Sequence, residues 1–397
     1  MNKDLLHTGV QEFIKKNINT EITSILLKKS TFPNVSPKEL AEQIEAKKKC
    51  KTKLPKWYET SKIYYPNKLN IEQTSSEKTA KYKTSILTGT SVIDITGGFG
   101  IDCYYFSSKM KTVFHCEINK QLSSIASYNL NILNAKNIKT IPLDGIEYLK
   151  NEASNFDWIY IDPSRRNDSK GKVFMLSDCL PDVPLHLDFF FRKSKNILIK
   201  TSPLLDFSIG ISELKNVKEI HVVALENEVK ELLWVLEKNY SGNISVIAVN
   251  ISKKKQDLFS YILEEEKENK AKFSLPLKYL YEPNASILKS GAFKTLSKQL
   301  DLSKLHTNTH LYTHTTLLNF PGRIFNIDSI IPYNKRAIKK LGIKKANITI
   351  RNFPENVADI RKKHKIKEGG SIYLFFIRNL EDALTVLLCS KVASLKN

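Results

Sequence analysis

The stretch S91-VIDITGGFGIDCYY-F106 sets an acidic residue, Asp94, near the end of an apolar run, and Gly97, Gly98 and Gly100 follow where the run gives way to a segment that can be helical. After Ile95 the chain must turn sharply. A residue without a side chain permits the turn and lets a ligand lie against the backbone. Asp94, beside this bare turn, can accept from an amino group. The pattern predicts strand, turn and helix, with the ligand at the turn.

Working outward, short β-branched apolar runs alternate with longer segments that can be helical. The runs are SVIDIT, TVFHCEI, IKTIPL, DWIYID, NILIKT, EIHVVAL and ISVIAVNI. Such alternation predicts an α/β fold: a doubly wound, mostly parallel, Rossmann-like sheet of seven strands with helices on both faces. Ligands then sit at the carboxyl ends of the strands, where the strand order reverses. The second run ends at Glu117, 17 residues after Gly100, where a carboxylate meets the hydroxyls of an adenosine ribose. The third leads to Asp144 and Gly145, suited to an exocyclic adenine amine. The fourth ends in Asp162, Pro163, Ser164, Arg165 and Arg166.

Two cofactors fit four strand ends of this kind. A nicotinamide dinucleotide favours G-x-G-x-x-G, but the sixth position here is Cys103, and no hydride-transfer site follows. S-adenosylmethionine lacks a phosphate, carries a sulfonium and an amino acid group, and suits a pocket ringed by acids. The residues favour the second.

The chain of 397 residues is 41% hydrophobic, ample for packed cores. No apolar run reaches the length of a membrane span, and MNKDLLHTGV lacks a signal-peptide pattern, so a cytoplasmic protein is expected. Five scattered cysteines, never paired as C-x-x-C, argue against a disulfide framework and against a thiolate zinc site. Lys and Arg exceed Asp and Glu by 21. That excess fits a polyanionic partner, or the lysine-, isoleucine- and asparagine-rich composition of the chain.

Helical spacing in VQEFIKKNI and PKELAEQIEAKKK, with Ser36 and Pro37 as cap and first turn, makes residues 1–80 an expected helical region. The charged EEEKENKAK before Pro276 reads as a seam to a carboxyl-terminal region. That region has strand candidates HLYTHTTLLNF, NITIRNF and GSIYLFFIR and a basic helical piece, NKRAIKKLGIKKA. His306, His310 and His314 recur every four residues, but in a Thr-rich, strand-like setting, and no metal site is expected there.

Across most of residues 60–395 the chain resembles the class I S-adenosylmethionine-dependent methyltransferases, and more narrowly the bacterial group with a THUMP-like carboxyl-terminal domain. The resemblance runs through LNIEQTSSEKTAKYK, VIDITGGFGID, CEIN, YIDPSRRN, DCLPD, IKTSPLLD, LENEVKELLW and YLYEPNASILKSGAF. It implies a methyltransferase domain over 81–270, a small ferredoxin-like α+β segment over 276–325 and a THUMP-like domain over 326–397. It further implies that Asp94, Thr96, Gly97, Gly98 and Gly100 hold the methionine part of the cofactor, Glu117 the ribose, and Asp144 with Gly145 the adenine. The stretch EQTSSEKTAKYK is expected to close the cofactor pocket.

The fourth strand end departs from the pattern of enzymes that methylate exocyclic base amines. Those show Asn or Asp, two prolines and an aromatic that stacks the base; here Ser164 and Arg165 replace the second proline and the aromatic. The expected reaction is transfer of a methyl group to a base of structured RNA, ribosomal or transfer, with Asp162, Pro163 and Arg165 at the transfer site. Arg165 and Arg166, Lys200, Asn227 and Glu228 are expected to line the substrate path, Asp206 beside them. The competing readings are a noncatalytic RNA-binding protein with a relict fold and a nucleotide-cofactor oxidoreductase.

Overall fold

Ser36 caps a helix by accepting from the Glu39 backbone, and Glu39 returns the bond to Ser36 N at 2.8 Å, with Pro37 in the first turn. That helix is the longest of six preceding the sheet: α1 (Thr8–Lys16), α2 (Ile22–Leu26), α3 (Pro37–Lys53), α4 (Pro55–Glu59), α5 (Lys68–Gln73) and α6 (Glu77–Ile86). Their apolar faces meet in a core holding Leu40, Ile44, Trp57 and Tyr65, which continues into Phe99, Ile101 and Tyr105 behind the glycine turn. The helical region is thus packed on the strand-turn-helix it precedes. The computed structural model describes residues 1–165, 175–253 and 255–392. The chain divides into two compact units, Met1–Lys218 with Leu233–Ser241, and Glu219–Leu232 with Gly242–Asn397.

In the first unit the helices are followed by β1 (Ser91–Asp94), α7 (Ile101–Phe106), β2 (Thr112–Cys116), α8 (Lys120–Ile132), β3 (Ile138–Ile141), α9 (Gly145–Asn151) and β4 (Phe156–Ile161). A short ribbon of β5 (Ser164–Arg165) and β6 (Cys179–Leu180) precedes α10 (Val183–Lys193), β7 (Ser194–Thr201) and α11 (Phe207–Glu213). β1 pairs in parallel with β2 on one side and β4 on the other; β3 follows β2, and β7 follows β4, all parallel. Right-handed crossovers running outward in both directions from β1 place their helices on opposite faces of the sheet. The order reverses at β1, so a crevice opens at its carboxyl end.

β8 (Val217–Leu225) and β9 (Glu228–Glu237) straddle the division of the chain, joined by Glu226 and Asn227 with φ of +47° and +67°. Two left-handed residues make the tight hairpin turn whose twist suits antiparallel strands. In the second unit β10 (Ser245–Ile251) pairs in parallel with β8 and antiparallel with β11 (Gln256–Ile262). Seven strands are expected from the apolar runs; β9 and β11 make nine among the described residues. EVKELLWVLE, not among the expected strand runs, is a strand whose apolar run is buried, and β11 alternates exposed and buried residues.

The remainder of this unit runs α12 (Leu263–Glu268), β12 (Lys272–Phe273), β13 (Tyr279–Pro283), α13 (Ala285–Ser290), α14 (Phe293–Gln299), β14 (Ser303–Lys304), β15 (Tyr312–His314), β16 (Gly322–Pro332), α15 (Lys335–Lys340), β17 (Lys345–Arg351), α16 (Val357–His364), β18 (Lys367–Arg378) and β19 (Leu384–Lys391). Its strands form one mixed eight-stranded sheet, β12-β14-β15-β13-β16-β19-β18-β17. One apolar cluster gathers Leu280, Phe325, Phe375 and Leu387; another gathers Ile338, Ile360 and Phe376 under α15 and α16. The charged stretch expected as a seam contains a helix, α12, whose Glu266 accepts from Lys294 N and Thr295 N, both at 2.8 Å, and so caps α14. No helix among the described residues is long and apolar enough to cross a membrane.

Candidate functional site

The glycine turn is built by three separate constraints. Gly97 N donates to Cys116 O at 2.8 Å, and a Cβ at Gly97 would stand 2.5 Å from the His115 ring, so this glycine lets the turn press against β2. Gly98 and Gly100 have φ of +54° and +82°, which L side chains rarely adopt. The nearest atom to a Cβ at Gly98 would be 3.8 Å away, so the backbone there is bare toward open space. Gly145 serves packing, since a Cβ there would lie 2.4 Å from Ile95.

The three expected acids stand at the ends of adjacent parallel strands. Asp94 is buried, its Oδ1 accepting from Thr96 N at 2.9 Å and Thr96 Oγ1 at 3.1 Å, while Oδ2 takes the Cys103 thiol at 3.4 Å. Burial pushes its carboxyl up to about 8, with the nearby Asp102 charge adding to the shift against the bonds from Thr96 and Cys103. Glu117 is half-buried and pins the turn to the end of β2, accepting from Gly98 N at 2.8 Å and Asn119 N at 2.7 Å. Asp144 caps α9 through Oδ1, from Ile146 N at 2.9 Å and Glu147 N at 3.0 Å. Both carboxylates keep lone pairs for a ligand.

Thr96 ties the first strand end to the fourth. The Asp162 main-chain N donates to Thr96 Oγ1 at 2.8 Å, and Oδ2 of Asp162 meets Lys200 Nζ at 2.5 Å. Asp162, Pro163 and Lys200 therefore come together at the ends of β4 and β7 with Thr96 and, through it, Asp94. The side chain of Arg165 and all of Arg166 lie outside the described residues. Asp206 caps α11 by accepting from Ser208 N at 2.8 Å.

Asn227 and Glu228 follow β8 and are engaged at the hairpin. Asn227 forms the β8–β9 turn; its N donates to Asn250 Oδ1 at 2.9 Å and its Oδ1 accepts from Ala285 N at 2.7 Å. Glu228 pairs with Lys230 at 2.5 Å. A left-handed turn position favours Asn for its backbone conformation.

The stretch EQTSSEKTAKYK is divided in its roles. Ser76 and Thr79 cap α6, and Glu77 pairs with Lys81 at 2.7 Å. The deeper contacts come from residues the sequence reading did not single out. Lys83, fully buried, lies 3.2 Å from Asp102 Oδ1 and donates to Ser75 Oγ at 2.8 Å; Asp102 Oδ2 accepts from Ser75 Oγ at 2.8 Å and Tyr160 Oη at 2.9 Å. Nothing in the local sequence marks Lys83, because a lysine in AKYK reads as solvated. Ile118 and Leu143, next to Glu117 and Asp144, are 70% and 51% exposed and offer apolar surface beside those acids. Leu180, opposite Ser164 in the β5–β6 ribbon, and Leu204, four residues past Lys200, are likewise exposed at the Asp162 end.

His306, His310 and His314 do not converge: His306 pairs with Asp382 at 3.3 Å, His310 stacks on Phe293 at 3.6 Å, and His314 accepts from Thr316 N at 3.0 Å. Cys103 and Cys116 are buried, and burial raises both thiols.

Similarity to known proteins extends over nearly all of the chain. Residues 279–321 match a ferredoxin-like domain family, and residues 322–391 a THUMP domain-like family. The crystal structure of a candidate methyltransferase from Porphyromonas gingivalis W83 is 33% identical and superposes with a TM-score of 0.89, covering 99% of each chain. An uncharacterized RNA methyltransferase of Mycoplasma mobile is 28% identical over 97 residues, which are 24% of this chain. The match spans 27% of that relative's length.

Proposed function

We propose that this chain, which belongs to the bacterial class I S-adenosylmethionine-dependent methyltransferases with a THUMP-like carboxyl-terminal domain, transfers a methyl group to a base of structured RNA, ribosomal or transfer. The observation that carries the reading is the set of Asp94, Glu117 and Asp144 at three adjacent strand ends around a bare glycine turn, with Thr96 linking the set to Asp162. The residues fit the cofactor. Asp94 is buried and, among the described residues, has no cation against it, and Gly98 presents backbone to open space.

In this reading Asp94 takes the cofactor's amino group, Glu117 the ribose hydroxyls, and Asp144 Oδ2 the adenine amine. Ile118 and Leu143 cover the adenine faces. When bound, the cofactor supplies an electrophilic methyl on a sulfonium that leaves as a neutral thioether. The protein needs to align the acceptor and exclude water. Asp162 orients the acceptor N–H and receives its proton, and Lys200 fixes the Asp162 carboxylate at the strand end. Leu180, opposite Ser164, and Leu204 offer exposed apolar surface to an acceptor at this end. Pro163 holds the chain after Asp162, and Arg165 and Arg166 are assigned to substrate phosphate.

The RNA assignment draws on the net charge of +21, the THUMP domain-like match and the Mycoplasma relative. Comparing modified nucleosides of ribosomal and transfer RNA from cells with and without this protein tests it. One methylated nucleoside should vanish in its absence; identical nucleoside profiles would remove RNA as the substrate.

A further inference from the structure

Two carboxylates, Asp94 and Asp102, are buried beside the glycine turn, and Lys83 is the buried cation near them. Lys83 comes from α6 and is held by Asp102 at 3.2 Å and by Ser75 at 2.8 Å. Titratable groups stand around Asp94 on each neighbouring element. From α7 come Asp102, paired with Lys83, and Cys103, a neutral thiol donating to Asp94 Oδ2. From β2 come Cys116, neutral because burial raises it, and His115, buried and pushed down toward the neutral imidazole. From β4 come Tyr160, donating to Asp102, and Asp162, paired with Lys200. Glu117 is turned to Gly98 and Asn119. Among the described residues nothing positive is left for Asp94.

A carboxylate removed from water without a counter-charge is held as the neutral acid. We propose that Asp94 carries a proton in the free protein and loses it to solvent when a ligand ammonium docks against it, Lys83 being the residue that neutralises Asp102 and so leaves one carboxylate for one incoming ammonium. The inference rests on reading the crevice as the S-adenosylmethionine pocket. The step balances as Asp94–COOH plus R–NH3+ giving a carboxylate–ammonium pair and one proton to buffer; no covalent bond other than O–H changes. Lys83 and Asp102 are positioning residues here, acting through Asp94 on which ligands the pocket accepts.

A carboxyl titrating near 8 is about 0.9 protonated at pH 7. The test is titration calorimetry of the full chain in buffers of different ionisation enthalpy, with S-adenosylhomocysteine and with 5′-methylthioadenosine, which keeps the adenosine and lacks the ammonium. S-adenosylhomocysteine should release about 0.9 proton at pH 7, and its affinity should rise about 50-fold from pH 6 to pH 8. Methylthioadenosine should bind more weakly with no release and a flat pH profile. In Asp94→Asn the release with S-adenosylhomocysteine should vanish. Binding of S-adenosylhomocysteine to the wild-type chain without release, equal release by methylthioadenosine, or undiminished release in Asp94→Asn overturns the inference alone. Failure of S-adenosylhomocysteine to bind the wild-type chain overturns the cofactor reading, and the inference with it.

Discussion

Lys200 Nζ and Asp162 Oδ2 stand 2.5 Å apart, joining the ends of two neighbouring parallel strands in a pair that is only partly open to solvent. If this carboxylate orients the acceptor, Asp162→Asn should leave cofactor affinity nearly unchanged and lower turnover by about 10²-fold. Lys200→Met should lower turnover as well, and the double variant should lose less than the sum of the two, because one interaction is removed twice. Single-turnover rates with matched cofactor titrations decide it; strictly additive losses would separate the two residues.

Glu117 accepts from Gly98 and Asn119 in the free protein and is proposed to accept from the ribose hydroxyls in the complex. Glu117→Ala removes charge-assisted bonds of both kinds. Cofactor affinity should fall by about 1.5–3 kcal/mol in calorimetry. An unchanged affinity would place the ribose elsewhere.

The buried Lys83–Asp102 pair makes a stability prediction independent of any ligand. Lys83→Met strands the Asp102 carboxylate and should cost about 3–5 kcal/mol in chemical denaturation. Lys83→Met with Asp102→Asn should be less damaging than Lys83→Met alone, since no buried charge is then left without its partner. A double variant as unstable as the sum of the singles would show that the pair is not coupled.

Asp94 also sets a pH dependence of the free protein. Its folded carboxyl lies near 8 against an ordinary value of 3.8, so the folded state holds a proton that the unfolded chain releases. The stability this contributes is fully present below about pH 4 and is lost as the pH rises toward 8. Asp94→Asn should therefore flatten the decline of the melting temperature between pH 5 and pH 8. Parallel declines in both proteins would mean that Asp94 is ionised in the free chain.

The strand ends were legible in the sequence because both periodicity and chemistry mark them. The runs before Asp94, Glu117, Asp144 and Asp162 are β-branched and short, and the acids stand out against them. β9 was not legible: ELLWVL is apolar enough for a buried strand, but the preceding LENEVK reads as a loop until the left-handed φ of Glu226 and Asn227 shows a two-residue hairpin. Lys83 was equally hidden, since a lysine in AKYK reads as solvated unless the tertiary position of Asp102 is known. Asn227 shows the converse, a polar residue after a strand that the backbone conformation of a tight turn favours.

In α15 the basic side chains are sorted by the helix itself. Ile338 is buried in the core under the helix, while Lys335, Arg336, Lys339 and Lys340 are exposed. No ion pair to any of the four is present among the described residues, whereas Lys363 on α16 is held by Glu355 at 2.9 Å. Four uncompensated cations on one short helix, anchored by a single apolar residue, suit phosphate contacts better than stability. Converting all four to Gln keeps the polar surface and removes the charge. If each meets a phosphate, RNA affinity should drop and the slope of log affinity against log salt should become shallower by about 3, since each contact releases a counterion. Cofactor affinity should not change, because the residues proposed to hold the cofactor lie in the other unit. Filter binding across a salt series reads both quantities. Full RNA affinity with an unaltered salt slope would show that α15 faces water and that the polyanion is held elsewhere.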